Sequence, residues 1–176
     1  MSQFEDAKAR IASIHASYER GEDAAGDERP LRGYVALLGA YGALTAAGAA
    51  LVRRKGLAGE RPGPLDLVLL AASTFRVSRT LAKDAVASPL RAPFATYQGP
   101  GGPGEVMEAP RPGPFRHAAG ELVTCPFCLT QWVATAGLLG YALFPRATRW
   151  VCAGMTVVAA ADAMHYAYAK MQEAAG

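Results

Sequence analysis

The longest uncharged stretch of the sequence runs from Gly33 to Val52 and reads GYVALLGAYGALTAAGAALV. As an α-helix, these residues would extend about 30 Å, which is the thickness of the hydrocarbon core of a bilayer. Arg32 and Arg53 bound the stretch on its two sides. A buried core helix of a soluble protein is the alternative, but helices that are apolar on every face are rarely this long there. The stretch therefore predicts a transmembrane helix.

Three further apolar segments follow along the chain, namely 65–83, 129–144 and 150–168. Only residues 145–149 separate the last two, so we expect an antiparallel helical hairpin. Segment 65–83 carries Arg76, Arg79 and Lys83 on one helical face. It either spans the bilayer or lies flat at its surface, and we predict that it spans.

Two regions of the sequence are not predicted to span the membrane, namely the amino-terminal region and a segment rich in glycine and proline. Apolar side chains recur at helical spacing near the amino terminus, at Phe4, Ala7, Ile11, Ile14 and Tyr18. They predict an amphipathic helix that packs on the membrane surface or on the bundle, and the charge of the first thirty residues argues against a cleavable signal peptide. Residues 99–114 are rich in glycine and proline, and we expect a mobile loop without regular structure there.

These segments predict an all-α fold, a polytopic integral membrane helical bundle of four spans with an amino-terminal amphipathic helix. We divide the chain into the amphipathic helix and a flexible link (1–30), an extra transmembrane helix (31–60) and a three-span core (61–176) with a Gly/Pro-rich loop at 95–117. Ten of the flanking Lys and Arg residues lie on the side of the termini, and six lie on the other side. The positive-inside rule therefore places both termini and the 83–121 loop in the cytoplasm of a multi-pass cell-membrane protein, although the cluster at 53–55 argues the other way.

Charge and cysteine content exclude several classes of protein. The net charge is only +3, which argues against a nucleic-acid binder, and three cysteines cannot form a dense disulfide scaffold. The sequence offers no pairing of a nucleophile with a base and no paired carboxylates, so we expect a protein that is not an enzyme.

The most distinctive motif is Cys125-Pro126-Phe127-Cys128. The pair could form a reversible disulfide, favoured by a thiolate at a helix amino terminus. It could supply two ligands to a zinc ion, with His165 and Asp162 as further ligands, because the predicted hairpin brings these residues to the same end. The third interpretation is structural, with two small thiols packed at a helix start beside a first-turn proline.

Ionisable side chains inside the predicted spans form the second candidate feature. Asp162 would cost about 2.5–3.5 kcal/mol at the centre of a membrane unless it were paired. Arg76 and Arg79 lie within reach of the same depth if segment 65–83 spans. We therefore expect an ion pair of Asp162 with Arg76 or Arg79. Basic residues that flank this span could also hold anionic lipid headgroups.

Two linked stretches carry a family resemblance. TFRVSRTLAKDAVASPLRAPF (74–94) and GELVTCPFCLTQWVA (120–134) together resemble an uncharacterised bacterial membrane family, domain of unknown function 1360. The resemblance covers about 65–171. It implies a small polytopic membrane protein in which 65–83 spans, and it implies no activity.

The resemblance also implies that several candidate residues meet at the cytoplasmic end of the bundle: Arg76, Arg79, Asp84, Arg91, Glu121, Cys125 and Cys128. With Asp162 and His165 they form either a functional patch or the interlocking caps of three helices. We expect an integral membrane protein that acts as a non-enzymatic scaffold or interaction protein, with the lipid bilayer and either a second copy or another membrane protein as partners. The alternative is a membrane thiol-redox or metal-binding protein that uses Cys125 and Cys128.

Overall fold

A computed structural model describes residues 2–19, 29–56 and 61–175. About 80% of these residues are helical, so the prediction of a mostly helical protein is confirmed. The described elements, in chain order, are α1 (Ser2–Glu19), α2 (Leu31–Arg54), α3 (Pro64–Lys83), a 3-10 turn (Ala85–Ala87), α4 (Ser88–Arg91), β1 (Ala95–Pro100), β2 (Val106–Pro110), α5 (Pro114–Thr124), α6 (Pro126–Leu143) and α7 (Pro145–Ala175). The parts of the chain at 20–28 and 57–60, which include most of the predicted flexible link, lie outside the described residues.

Proline marks the start of four helices, at Pro64, Pro114, Pro126 and Pro145. Proline suits the first helical turn because its missing N–H has no intrahelical partner there and its φ angle already fits a helix. The start of α3 has a further cap, since the Gly63 N–H donates a hydrogen bond to Asp66 Oδ2 at 3.0 Å. These starts are local properties of the sequence, and they explain why α3, α6 and α7 begin close to the predicted positions. Helix α5 was not predicted, because its first residues were assigned to the Gly/Pro-rich loop.

Helix α3 lies at the centre of the bundle, where it packs against both α6 and α7. Helices α6 and α7 are joined at Phe144 and contact each other, which confirms the predicted helical hairpin. Helix α2 packs against α5 and α6 instead. Helices α5 and α6 meet at an angle of 80° around Cys125, so α5 runs across the end of the bundle.

The prediction that residues 99–114 lack regular structure is wrong. Strands β1 and β2 form an antiparallel hairpin whose register runs from the pair Ala95 and Pro110 to the pair Pro100 and Val106, with an irregularity between Tyr97 and Gly99. Two of the prolines end the strands, where no ladder hydrogen bond has to be donated. The glycines serve the turn, in which Gly104 has a φ of 75°. Glycine and proline therefore shape this hairpin rather than preventing it.

The hairpin is fastened to the end of α3. Asp84 and Glu105 form an isolated β-bridge, and the Ala85 N–H donates to the Gly104 carbonyl at 2.9 Å. On the other side, a Cβ added to Gly120 of α5 would approach Pro110 to 2.9 Å, so α5 lies directly against β2. The 3-10 turn, α4, the hairpin and α5 therefore form one compact unit at one end of the bundle, which we call the cap.

Most of the buried side chains of the described residues are small or polar, and Leu70 and Tyr141 are the large exceptions among the apolar ones. The buried apolar residues are Leu70, Ala82, Ala87, Ala95, Ala118, Tyr141 and Cys152. The buried polar residues are Ser73, Thr74, Ser78, Arg91 and Thr124. Large apolar side chains of the same helices are exposed, for example Leu38, Val68 and Val157. This arrangement reverses the usual pattern of a soluble protein.

Within the described residues, one helix, Leu31–Arg54, is long and apolar enough to cross a membrane. The bent pair α5 and α6 would supply a second if the two helices formed one span. Helix α1 forms as predicted, and its apolar side chains Phe4, Ile11, Ile14 and Tyr18 are exposed, so they are not packed into the bundle.

Candidate functional site

Charged side chains gather at both ends of α3. At its carboxyl end, Arg76, Arg79 and Asp84 meet residues of the cap and of α7. At its amino end, Asp66 meets residues of α6 and α7. A third group surrounds Glu121 and the two cysteines at the junction of α5 and α6. The residues of the predicted patch are thus divided between the carboxyl end of α3 and the junction of α5 and α6.

Arg76 bridges two carboxylates from different parts of the chain. Its Nη2 lies 2.9 Å from Asp84 Oδ2, and its Nε lies 2.8 Å from Asp162 Oδ2 of α7. The side chain of Arg76 is only 16% exposed, whereas that of Asp162 is 43% exposed. The contact confirms the expected ion pair of Asp162 and selects Arg76 as its partner. Because the guanidinium group is largely buried, its charge must be compensated by nearby carboxylates, and the second carboxylate adds to this compensation.

Arg79 takes a different partner, which the sequence interpretation missed. Its Nη2 lies 2.6 Å from Glu105 Oε1, at the turn of the hairpin. Glu105 was assigned to a structureless loop, so no position in space could be given to it. The signal was present, however, because an acid directly after a run of Gly and Pro is well placed in a tight turn to face a neighbouring base.

Arg91 is the most buried charged residue described, with 1% of its side chain exposed. Its Nε donates to Glu108 Oε2 of β2. Its Nη1 donates to the Leu81 carbonyl at 2.8 Å, and its Nη2 donates to the Asp84 carbonyl at 3.1 Å. The planar guanidinium therefore satisfies the last carbonyls of α3 and holds β2 at the same time. Arg91 fastens the cap to the bundle, and it is not open to a ligand.

Glu121 lies in a separate polar group between α2 and α5. Arg29 Nη1 is 2.9 Å from Glu121 Oε1, and the Tyr34 hydroxyl donates to Glu121 Oε2. His117 Nε2 is 3.5 Å from Glu121 Oε1. These contacts join the start of α2 to the cap, so Glu121 has a positioning role for the first long helix.

Cys125 and Cys128 lie where α5 turns into α6. Cys125 is the amino-terminal cap of α6, and its Sγ accepts a hydrogen bond from the Cys128 N–H at 3.3 Å. Both thiols are free. Cys128 is in the first turn of α6, ahead of the apolar segment 129–144. Burial, followed by the hydrogen bond with Cys125, raises its pKa to about 11. A raised pKa keeps the thiol protonated, which is the opposite of an activated nucleophile.

The zinc interpretation stays a prediction. Among the described residues, no group of three or more His, Cys, Asp or Glu side chains that could hold a metal ion is found. His165 lies beside Asp162 and Tyr166 in a groove. The cysteines lie at the 80° bend between α5 and α6, where Glu121 is close enough to act on the pKa of Cys128.

The groove has a volume of about 710 Å³ and lies between α3, α7 and the turn of the β-hairpin. Its charged wall consists of Arg76, Arg79, Asp84, Glu105 and Asp162. Its apolar wall is formed mainly by Phe75 of α3 and by alanines and Tyr166 of α7. It is the place where most of the predicted site residues meet.

A further group at the amino end of α3 was also missed. Arg149 Nε donates to Asp66 Oδ1 at 2.9 Å, and the Tyr141 hydroxyl donates to Asp66 Oδ2 at 2.5 Å. Sequence analysis counted Arg149 as a flanking charge only. The available signal was an acid at the start of α3 and two arginines, Arg146 and Arg149, at the start of α7. The contact of Arg149 with Asp66 ties the hairpin of α6 and α7 to α3.

No curated protein and no solved structure matches this chain. Residues 69–168 match a protein family described as protein of unknown function (DUF1360). The matched residues run from the middle of α3 into α7 and include the cap, both cysteines of the motif and nearly all of the groove. The match spans more than half of the sequence and agrees with the resemblance seen in its two motifs, so the chain belongs to the DUF1360 family of proteins of unknown function.

Proposed function

We propose that this protein crosses the membrane four times, through 33–52, 65–83, 129–144 and 150–168, and acts as a non-enzymatic scaffold or interaction protein. The observation that carries the proposal is the distribution of side chains in the bundle. Large apolar side chains face outward and small or polar ones face inward. In water such a surface would be strongly disfavoured, whereas lipid solvates it.

The contacts between the helices support the same proposal, because several are hydrogen bonds between small polar side chains. The Thr130 hydroxyl of α6 donates to the Ser78 hydroxyl of α3 at 3.2 Å. Tyr41 of α2 and Thr135 of α6 share a hydrogen bond of 2.7 Å. Without a hydrophobic force between helices in lipid, contacts of this kind and close packing of small residues hold a bundle together.

Two glycines at contacts between helices also support the proposal of a membrane bundle. A Cβ on Gly137 of α6 would lie 2.5 Å from Leu70 Cδ1 of α3. A Cβ on Gly48 of α2 would lie 2.5 Å from Leu139 Cδ1 of α6. Both glycines therefore sit where a neighbouring helix is in direct contact, as expected for helices that pack through small residues.

The interaction role follows from the cap. Buried Arg91 holds the cap rigidly, while large apolar side chains around it stay exposed, among them Val86, Leu90, Tyr97 and Phe127. Phe127 is 88% exposed. Exposed aromatic and apolar side chains on a rigid support are typical of a protein contact surface. The partner is a second copy or another membrane protein.

The alternative thiol-redox function receives less support. The attacking sulfur of a redox pair is a thiolate, and the surroundings of Cys128 raise its pKa, so Cys128 is not suited to be that attacking sulfur. The sulfur of Cys125 serves as a helix cap, which is a structural use. We therefore favour the scaffold role.

The number of spans is tested by labelling single cysteines in intact cells, in a background in which Cys125, Cys128 and Cys152 are replaced by serine or alanine. The labelled variants are Arg53→Cys, Tyr97→Cys, Arg146→Cys and Glu173→Cys. With four spans, a membrane-impermeant maleimide labels only one pair in intact cells, either Arg53→Cys and Arg146→Cys or Tyr97→Cys and Glu173→Cys, and it labels the other pair only after the cells are permeabilised. With one span, Arg146→Cys shares the side of Tyr97→Cys, and this result would contradict the proposal. Release of the protein by alkaline carbonate would also contradict it.

The scaffold role is tested by the state of assembly. Native mass spectrometry of protein that has been gently extracted from the membrane should show a complex with a second copy or another protein. Phe127→Ser should reduce this complex without lowering the thermal stability of the monomer. A monomer alone, both in the wild type and after cross-linking in membranes, would contradict the role.

A further inference from the structure

The groove between α3, α7 and the hairpin turn is large enough for a ligand and is not filled by the protein. Its volume of about 710 Å³ is within the range of small-molecule sites, roughly 300–1,000 Å³. Its walls differ in character. One wall is apolar and is formed by Phe75, Ala159, Ala163, Tyr166 and Ala169. The other is charged, so the groove suits a molecule that has both an apolar part and a charged part.

The charged side chains of the groove indicate whether the charged part of the ligand is positive or negative. Three carboxylates, those of Asp84, Glu105 and Asp162, face two guanidinium groups. Both guanidinium groups are already paired, Arg76 with Asp84 and Asp162, and Arg79 with Glu105. One negative charge therefore remains in excess when His165 is neutral. An anion would have to displace a carboxylate from an arginine, whereas a cation adds to the existing pairs.

The most accessible of these carboxylates is Asp162. Its side chain is 43% exposed, compared with 17% for Asp84 and 13% for Glu105. Only one of its contacts is an ion pair, with Arg76. Asp162 is therefore the carboxylate that an incoming cation reaches with the smallest rearrangement.

Two aromatic rings accompany this carboxylate. Phe75 and Tyr166 line the groove, and more than half of each side chain is exposed. The negative face of an aromatic ring attracts an ammonium group, and rings together with carboxylates form the usual recognition chemistry for organic ammonium ions. Neighbouring alanines leave the apolar wall smooth and shallow enough for a hydrocarbon chain.

We propose that the groove binds an amphiphile with an organic ammonium head, whose head contacts Asp162 and an aromatic ring and whose hydrocarbon chain lies along the apolar wall. This inference goes beyond the scaffold role. It assigns a ligand class to the residues that α3, α7 and the hairpin bring together.

The test uses calorimetric titration of the full-length protein in a non-ionic maltoside detergent. The probe is hexyltrimethylammonium, compared with hexyl sulfate, hexanol and tetramethylammonium. We expect only hexyltrimethylammonium to bind measurably. Equal binding of hexyl sulfate or hexanol would overturn the requirement for a cation. Equal binding of tetramethylammonium would overturn the requirement for a chain.

Two matched pairs of variants locate the binding site. Asp162→Asn should weaken binding about fivefold, whereas Glu173→Gln, which removes the same charge from the same helix beyond the groove, should have no effect. Tyr166→Leu should weaken binding about threefold, whereas Tyr168→Leu should not, and Tyr166→Phe should restore it. Equal effects within either pair would overturn the proposal. The second pair keeps the test valid if Asp162→Asn fails to fold.

Discussion

Arg76 of α3 and Asp162 of α7 meet through Nε and Oδ2 at 2.8 Å, and the same guanidinium holds Asp84 at the end of α3. One buried cation thus links α7, the longest of the described helices, to the carboxyl end of α3. The two carboxylates are unequal, because Asp84 is 17% exposed and Asp162 is 43% exposed.

This inequality predicts unequal costs of substitution. Arg76→Gln should destabilise the protein by about 3 kcal/mol, because it leaves two carboxylates without a cation. Asp162→Asn should cost about 1 kcal/mol or less, because Arg76 keeps Asp84 and Asp162 is partly solvated. Denaturant unfolding in detergent measures both. Equal costs for the two variants would show that Arg76 is not shared between the carboxylates.

A second prediction concerns the attachment of the cap. Arg91→Lys should destabilise the cap by about 3 kcal/mol, because an ammonium cannot reproduce the planar set of donors that reaches Glu108 and the carbonyls of α3. Proteolysis within the hairpin, together with thermal unfolding, measures the effect.

The matched control lies in the same region of the cap. Arg111 also donates to a carbonyl, that of Ala92 at 2.9 Å, but it is only half-buried. Arg111→Lys should change the stability by less than about 0.5 kcal/mol. If both variants expose the hairpin to protease equally, Arg91 has no special role in fastening the cap.

A third prediction concerns glycine in α2. A Cβ on Gly33 would overlap the carbonyl oxygen of Pro114, which belongs to the backbone and cannot move aside easily. Gly33→Ala should therefore separate α2 from α5 and cost about 1–3 kcal/mol. Gly39 has nothing within 4 Å of the corresponding position, so Gly39→Ala should be neutral or stabilise the helix by up to about 1 kcal/mol. Thermal unfolding distinguishes the two, and a cost for Gly39→Ala similar to that for Gly33→Ala would mean that the α2–α5 contact does not decide the effect.

A fourth prediction follows from the pKa of Cys128, which is raised to about 11 by burial and by the neighbouring Cys125. Only the thiolate reacts with iodoacetamide, so the rate of alkylation at Cys128, followed in its own peptide by mass spectrometry, should rise about tenfold per pH unit well beyond the ordinary cysteine pKa of about 8.5. Cys125→Ser should shift the profile to lower pH because it removes the sulfur that raises the pKa. A plateau in the wild-type rate near pH 9 would contradict this account.

The same shift sets a direction for stability. A raised pKa in the folded state means that folding favours the protonated thiol, so its contribution is fully present below the unfolded pKa, near 8.5, and is lost as the pH rises toward about 11. Cys128→Ala should therefore lose less stability than the wild type over this interval. Unfolding midpoints between pH 8 and 11 measure the difference.

Local signals predicted the helices well. The uncharged run at 33–52 and the prolines before α3, α6 and α7 act within one segment, so sequence alone was sufficient to find them. The hairpin at 95–110 was missed because its stability comes from Arg91, Asp84 and Gly120, which are remote from its strands or belong to other elements. The content of Gly and Pro indicates only the conformational preference of an isolated segment. In this protein, contacts with neighbouring elements stabilise the hairpin.

The candidate site shows the same division. Helical periodicity and depth brought Arg76, Arg79 and Asp162 into one hypothesis, and the contact of Arg76 with Asp162 confirmed it. Periodicity could not decide between the two arginines, because both lie on one face of α3. It could not place Glu105 beside Arg79.

The sequence by itself determined that the long apolar and amphipathic segments are helical, roughly where they begin and which ionisable residues need partners, because hydrophobicity, proline geometry and the cost of an unpaired charge are properties of short stretches. The tertiary structure alone decided which carboxylate meets which guanidinium, that the Gly/Pro segment forms a hairpin, and that a groove opens between α3 and α7. These outcomes depend on side chains far apart in the chain that must meet within about 3 Å, and the bend between α5 and α6 and the packing around α3 set such distances.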